Sequence, residues 1–242
     1  MTNTKTQNSY TYGLGKGLPI ALGYLSVSFG FGITAVGMGI KPIQTILISM
    51  TNLTSAGQVA GIGIIAALGT IIEMILCQLV INIRYSLMAL TLTQKLDGSF
   101  TTLHRALIAF CITDEVFGVA ASEKGYIGRR FMYGLITLPY IGWALGTTLG
   151  VYANHILPPT VCAALGIAIY SMFMAIIIPP SRDERGVLLT VVIASVLSCL
   201  FYYVPMFDGM SQGFSIIICA FASAGVMAFV MPIPSEEDAE ND

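Results

Sequence analysis

FMYGLITLPYIGWALGTTLGVYANHILPPTVCAALGIAIYSMFMAIIIPPS, residues 131–181, runs without a single Asp, Glu, Lys or Arg. About 20 apolar residues in a helix suffice to cross a bilayer. This stretch therefore holds two crossings, provided the chain turns within it, and Asn154-His155-Ile156-Leu157-Pro158-Pro159 supplies the turn. Working outward, uncharged runs also cover 17–40, 42–72, 186–207 and 209–235. The whole composition agrees. Of the 242 residues, 55% are hydrophobic and 10% charged, with a mean hydropathy of +0.81, whereas a soluble domain carries roughly a quarter charged residues. The expected class is all-α, a polytopic transmembrane helical bundle.

The runs divide into spans at 17–40, 42–59, 61–83, 105–122, 131–153, 159–178, 186–204 and 212–233. That makes eight, or seven if 42–59 only dips into the membrane. Cytoplasmic segments carry an excess of Lys and Arg. With the N-terminus inside, Lys5, Lys16, Lys124, Arg129, Arg130, Arg182 and Arg185 fall on the cytoplasmic side, Lys41, Lys95 and Arg105 fall outside, and Arg84 sits near a membrane end. Both termini are thus expected in the cytoplasm. The domain reading is a cytoplasmic tail over 1–16, a transport-type membrane domain over 17–233 and an acidic cytoplasmic tail over 234–242. No internal repeat is visible.

Several chemistries find no support. The first sixteen residues have no apolar core or cleavage site of a signal peptide. Cys77, Cys111, Cys162, Cys199 and Cys219 are odd in number and lack CxxC spacing, which argues against a disulfide framework. His104 and His155 are expected in loops without companion ligands, so no metal is expected. There is no Walker A sequence, no nucleophile elbow and no basic cluster for nucleic acid. Neither an enzyme nor a cofactor is expected.

Polar residues at membrane depth carry the functional signal. Ile46-Leu47-Ile48-Ser49-Met50 is apolar, yet Thr51-Asn52-Leu53-Thr54-Ser55-Ala56-Gly57-Gln58 follows. Such residues favour local side-chain hydrogen bonds over a regular helix, and irregular backbone at that depth lines a cavity or is buried in protein. At least one discontinuous helix is expected here, meeting a polar substrate; an ordinary loop or polar helix contacts would leave the same trace. Glu73 and Arg84 bracket Gln78 and Asn82. Eleven residues put them on one helix face about 16 Å apart, too far to pair, so each needs another partner. Arg offers a planar fork suited to a carboxylate, or it snorkels to the interface. Thr113-Asp114-Glu115 sets two acids between apolar flanks, where acids pair or mark an ion or proton path. Adjacent positions diverge by about 100°, so one acid is free to neutralise Arg84 while the other serves substrate or protons. Gly142, Gly146 and Gly150 form a ridge for a helix contact, within the chain or with a partner subunit. Gly23, Gly30, Gly32, Gly37 and Gly39 in the first span let helices approach closely or let the backbone bend toward a ligand.

Four of these places resemble the AzlC family of branched-chain amino acid exporters. They are Ser28-Phe29-Gly30, Ser55-Ala56-Gly57-Gln58, Asn82-Ile83-Arg84-Tyr85, and Thr113-Asp114-Glu115 with Phe117. The last two are the specific ones, and the resemblance covers residues 13 to 233. This chain has Ser28 where the family usually has Pro, and Tyr85 where it often has His. The resemblance implies export of branched-chain or similar amino acids across the cytoplasmic membrane. It also implies a small second membrane subunit of the AzlD type.

The expectation is a secondary transporter for hydrophobic amino acids, coupled to an ion gradient. Asn52, Ser55, Gly57, Gln58, Asn82, Arg84 and Phe29 are the candidate substrate contacts, with Arg84 on the carboxylate. Asp114 or Glu115 is expected to meet the substrate ammonium or to carry the coupling proton, and Asp114, Glu115 and Glu73 are the candidates for ion or proton coupling. A passive channel, an intramembrane enzyme built on paired acids and a non-transporting subunit are the rival readings.

Overall fold

The computed structural model describes residues 8–154, 156–207 and 209–231. His155 and the acidic stretch 234–242 lie outside them. Eleven helices follow in order: α1 (Tyr10–Gly37), α2 (Pro42–Thr51), α3 (Ala56–Ala66), α4 (Ile71–Thr93), α5 (Thr102–Ala109), α6 (Asp114–Ser122), α7 (Arg129–Ala153), α8 (Pro159–Gly166), α9 (Ala168–Asp183), α10 (Arg185–Tyr203) and α11 (Gln212–Val230). Among the described residues there is no strand, only an isolated bridge between Leu96 and Ile127. The all-α expectation holds. Five helices, α1, α4, α7, α10 and α11, are long and apolar enough to cross a membrane.

The core is a parallel pair. α1 and α7 run side by side in the same direction, with Gly13 against Gly134 and Leu135, Ala21 against Gly142, and Phe29 against Gly150. Further along, Asn154 Nδ2 donates to Ile33 O at 3.2 Å. Glycine lets two backbones touch here. A Cβ on Gly142 would stand 2.5 Å from the Ala21 carbonyl oxygen, closer than any side chain tolerates. The ridge of Gly142, Gly146 and Gly150 therefore packs inside the chain, not on a partner. Gly17 faces the Leu135 carbonyl, which Pro139, lacking an N–H, leaves without its helical donor. Of the glycines expected to pack the first span, Gly23, Gly37 and Gly39 have nothing nearby. Gly13 and Gly17 do that work instead. Because α1 begins at Tyr10, the stretch 1–16 expected as a tail is partly helical.

Calling the end where α1 starts the proximal face and the other the distal face, the remaining directions follow from contacts. α2 leaves the distal face antiparallel to α7. Ser49 Oγ lies 2.6 Å from Thr147 Oγ1, and Tyr140 OH donates to Met50 O at 3.1 Å. α3 then turns back, with Gln58 Nε2 donating to Ile48 O at 3.3 Å. It climbs beside α4, Gly57 meeting Gln78 and Asn82 while Ile64 meets Gly69. Helices of 10 and 11 residues rise about 15 Å each, half of a hydrocarbon core about 30 Å thick. Residues 42–66 are a re-entrant hairpin from the distal face.

Residues 102–122 repeat this from the proximal face. The hairpin's base is clamped there: Asp97 N donates to Ile127 O at 3.0 Å, Ile127 N donates to Lys95 O at 2.8 Å, and Lys95 Nζ bonds the carbonyls of Ala121 and Glu123. α5 ascends along α7, with His104 Nδ1 2.8 Å from Tyr133 OH and the rings of Phe110 and Tyr140 6.5 Å apart. α6 descends along α1, from Thr113 at Tyr24 to Glu123 at Tyr12. Each hairpin plus the long helix after it, Pro42–Thr93 and Thr102–Ala153, spans 52 residues, and the two units run in opposite directions. Inverted units of this kind recur in membrane carriers.

The eight-span ladder is corrected accordingly. The intervals 42–59 and 105–122 are not crossings, and 61–83 straddles the break between α3 and α4 at 67–70. The spans at 131–153, 186–204 and 212–233 match α7, α10 and α11 closely. The interval 159–178 is divided between α8 and α9, which abut. Since α11 starts at the distal face, with Gly213 N donating to Glu73 Oε1 at 2.8 Å, α10 ascends and α8–α9 descend. His104, expected in a loop, lies in α5.

Candidate functional site

Both hairpin tips stop at mid-depth and face each other. The breaks form where helix is weakest. At 52–55, Asn52 Oδ1 accepts from Thr54 N at 3.2 Å and Thr54 Oγ1 at 2.7 Å, a side-chain turn that replaces helical bonding. Gln58 Nε2 reaches back to the Asn52 carbonyl. Ser55 sits at φ 42°, a costly conformation for a residue with a side chain. At the second tip Thr113 caps α6, its Oγ1 accepting from Val116 N at 3.4 Å.

Between the tips lies a small cavity lined by Tyr24, Leu53, Ser55, Tyr85, Thr113, Asp114, Glu115 and Trp143. It has room for about one water molecule. The charges are arranged around it. Arg84 holds Asp114 with both carboxylate oxygens, Nη1 standing 2.8 Å from Oδ1 and 2.7 Å from Oδ2. Tyr85 completes the clamp, its ring 5.0 Å from the guanidinium carbon and its hydroxyl 3.3 Å from Nη2. Glu115 points elsewhere: its Oε2 accepts from Tyr24 OH at 2.5 Å, and no cation among the described residues pairs with it. Tyr24 OH is also 2.5 Å from Thr113 Oγ1. Its ring stands edge-on to Trp143 at 5.1 Å. Trp143 is buried at 2% exposure, and its Nε1 has no hydrogen-bond partner among the described residues.

The structure gathers some expected residues and disperses others. Ser55, Arg84, Asp114 and Glu115 meet at the cavity or its rim. Asn52, Gly57, Gln58 and Asn82 brace the first tip: Gln78 Nε2 donates to Gly57 O at 2.8 Å, and Asn82 Nδ2 donates to Gln78 Oε1 at 2.9 Å. Arg84 is not at a membrane end; its partners place it at the level of Tyr24 on α1. Two candidates lie away from the cavity. Phe29 is further along α1, where its carbonyl meets Gly150. Glu73 is buried at 2% exposure near the distal face, with its carboxylate on the first turn of α11.

Sequence reasoning missed Tyr24 and Trp143. Each lies in an apolar run where an aromatic side chain reads as packing. The only available hint was that Trp143 is the single tryptophan of the chain. Among the described residues no group of three or more His, Cys, Asp or Glu side chains could hold a metal.

The AzlC protein family model matches residues 19–157, which includes both hairpins and the whole cavity. The chain is 26% identical over 226 residues to the inner membrane protein YgaZ of Escherichia coli, covering 90% of this chain and 91% of that one. It is 31% identical over 175 residues to an uncharacterized membrane protein of Archaeoglobus fulgidus, covering 72% and 76%. An uncharacterized membrane protein of Helicobacter pylori is 24% identical over 136 residues, covering 55% and 59%. No solved structure matches. With its apolar crossings and its hairpins inside the matched region, this chain is a membrane protein and belongs to the AzlC protein family.

Proposed function

We propose that this protein is a secondary transporter that exports branched-chain or other hydrophobic amino acids across the cytoplasmic membrane, coupled to an ion gradient. One observation carries the reading. Two half-membrane hairpins, entering from opposite faces, meet at mid-depth on Arg84, Asp114 and Glu115. Charges at that depth are expensive and are kept where solutes or protons pass. Broken helices at mid-membrane are the usual sites of carriers. Because the cavity is nearly closed, a solute enters only when one hairpin withdraws. Withdrawal of α2–α3 opens a path to the distal face, and withdrawal of α5–α6 opens one to the proximal face.

Charge supports an orientation. Among the described residues, Lys16, Lys95, Arg105, Lys124, Arg129 and Arg130 belong to the proximal face, as does the α9–α10 junction with Arg182 and Arg185, and Lys41 is the one cation at the distal face. By the positive-inside rule the proximal face is cytoplasmic. The re-entrant hairpin sharpens the asymmetry, since Lys95 and Arg105, expected outside, now join the cytoplasmic set. α10 buries no residue within the chain, so it meets lipid or the small AzlD-type subunit that we carry forward as a partner.

The test is counterflow in proteoliposomes containing this chain, with and without a co-expressed small membrane subunit of the AzlD type. Saturable, trans-stimulated leucine exchange is the expected outcome. Linear uptake without trans-stimulation would indicate a passive pore. Arg84→Lys and Arg84→Gln should both lose most exchange, because Lys lacks the second nitrogen that Arg84 sets against Tyr85 while the first holds Asp114, and Gln lacks the charge.

A further inference from the structure

In this state Arg84 stands outside the lining of the cavity and turns to its own neighbours. Both its carboxylate contacts go to Asp114, and its other terminal nitrogen goes to Tyr85. A solute carboxylate arriving at the cavity needs other donors, and the two helix beginnings at the cavity differ in what they offer. Helix N-termini carry unpaired N–H groups and partial positive charge. At α6 that charge is already met by two carboxylates in the first turn, Asp114 and Glu115, and by the Thr113 cap. At α3 there is no acidic residue in the first turn and no side-chain cap. Its opening residues Ser55 and Ala56 are small and half-buried, and only Ser55 of the helix lines the cavity. Gly57 N–H is already taken by Thr54 O at 3.2 Å, and a Cβ there would collide with Thr54 Oγ1 and Gln78 Oε1.

A second, independent feature points to a ligand. Trp143, 2% exposed, lines the same cavity as Ser55, and its Nε1–H has no acceptor among the described residues. A buried donor left unpaired is costly. Glu115, in the same lining, is an anion that meets a phenol but no cation among the described residues. The cavity wall thus holds a buried donor without an acceptor and a carboxylate without a cation.

We infer that the cavity, once widened by hairpin movement to admit a solute, binds a zwitterion in one orientation, with its carboxylate on the α3 N-terminus and the Trp143 Nε1–H, and its ammonium on Glu115. Arg84 is then a positioning residue that holds Asp114 and the second tip, not the carboxylate ligand. The inference rests on the transport reading and names the head-group chemistry of that same site. Both ends of the solute are needed, so a compound with only one of them binds weakly.

The single tryptophan makes the test direct. Emission of Trp143 in the purified full-length protein reports binding whether or not transport occurs. Titrations use leucine, 3-methylbutylamine, which lacks the carboxylate, and 4-methylpentanoate, which lacks the ammonium. Leucine should change the emission at least about tenfold more tightly than either analogue, the effect of one charge-assisted hydrogen bond. The Glu115→Gln protein should lose leucine affinity about tenfold and keep its affinity for 4-methylpentanoate. Trp143→Phe keeps the ring and removes the donor. Read by leucine counterflow with the two analogues as competitors, it should weaken leucine and 4-methylpentanoate and leave the amine unchanged. Arg84→Lys should lower the maximal exchange rate with little change in leucine affinity. The orientation is overturned if Arg84→Lys selectively weakens the two carboxylates, or if Trp143→Phe weakens the amine as much as the acid. A wild-type protein whose emission responds to none of the three compounds would instead overturn the transport reading itself.

Discussion

Arg84 and Asp114 show what one pair of residues contributes at mid-membrane. A charged side chain left alone there costs several kcal/mol, and the ion pair lowers that penalty for both charges together. Deleting one partner of a fully buried pair costs about 3–5 kcal/mol, whereas deleting both often costs little; with its side chains 38% and 25% exposed, this pair is worth a fraction of that. Arg84→Gln and Asp114→Asn should therefore each lower the thermal midpoint in detergent, and the double variant should recover most of the loss. Additive losses in the double variant would mean the two residues act independently. Glycines give a second comparison at this scale. Gly134→Ala would drive a methyl into the Tyr10 carbonyl of α1, and overpacking of this kind costs about 1–3 kcal/mol. Gly23→Ala meets open space and should be neutral or stabilise by about 0.5–1 kcal/mol, measured in the same thermal assay. Ser28 belongs with the stabilising set. It is fully buried with no partner for its hydroxyl among the described residues, so Ser28→Ala should raise the midpoint by removing a desolvated polar group.

At the scale of elements, hydropathy and geometry part company over the hairpins. Two half-helices separated by a four-residue break have the same average hydropathy and total length as one crossing, and a window of 19 residues does not distinguish them. The chemistry of the tips was nevertheless legible. Asn52, Thr54 and Ser55 interrupt an apolar run with helix-competing side chains, and Thr113-Asp114-Glu115 is a capping residue followed by two acids, the ordinary opening of a helix. What sequence could not supply was the direction of the chain after each break. That depends on contacts such as Asp97 with Ile127 and Gln58 with Ile48, which join residues 30 and 10 apart by way of a fold. Tyr24 and Trp143 were illegible for a related reason: an aromatic residue facing a polar cavity and one facing another helix look alike in an apolar run. The hairpins make a sharp topological prediction. Cysteines placed at Ser99 and Gly125, in a variant lacking the five native cysteines, should react with an impermeant maleimide from the same face of the membrane. Cysteines at Gly39 and Leu68 should react from the opposite face. Labelling of Ser99 and Gly125 from opposite faces would restore 105–122 as a crossing.

At the scale of the molecule, the two inverted units differ in what anchors them, and this bears on how the cavity opens. The proximal hairpin is clamped at its base by the paired backbone of 95–97 and 127 and by Lys95 on α6, and its tip is tied to α4 through Asp114. The distal hairpin is tied to α7 by Ser49 and Tyr140 and to α4 by Gln78. Among the described residues no hydrogen bond joins the two tips; both bond the long helices. Either hairpin can therefore leave the cavity without breaking the other's attachments, and a carrier needs that independence. A pore would need both to withdraw at once. Ser55→Cys separates these cases, since the Ser55 side chain makes no cap bond and its replacement leaves the tip's backbone intact. In a carrier, each molecule exposes residue 55 to one face at a time. Saturating leucine on one side should then slow labelling from that side and quicken it from the other as the population shifts. In a pore, residue 55 is open to both faces together, so leucine from either side would slow labelling from both equally.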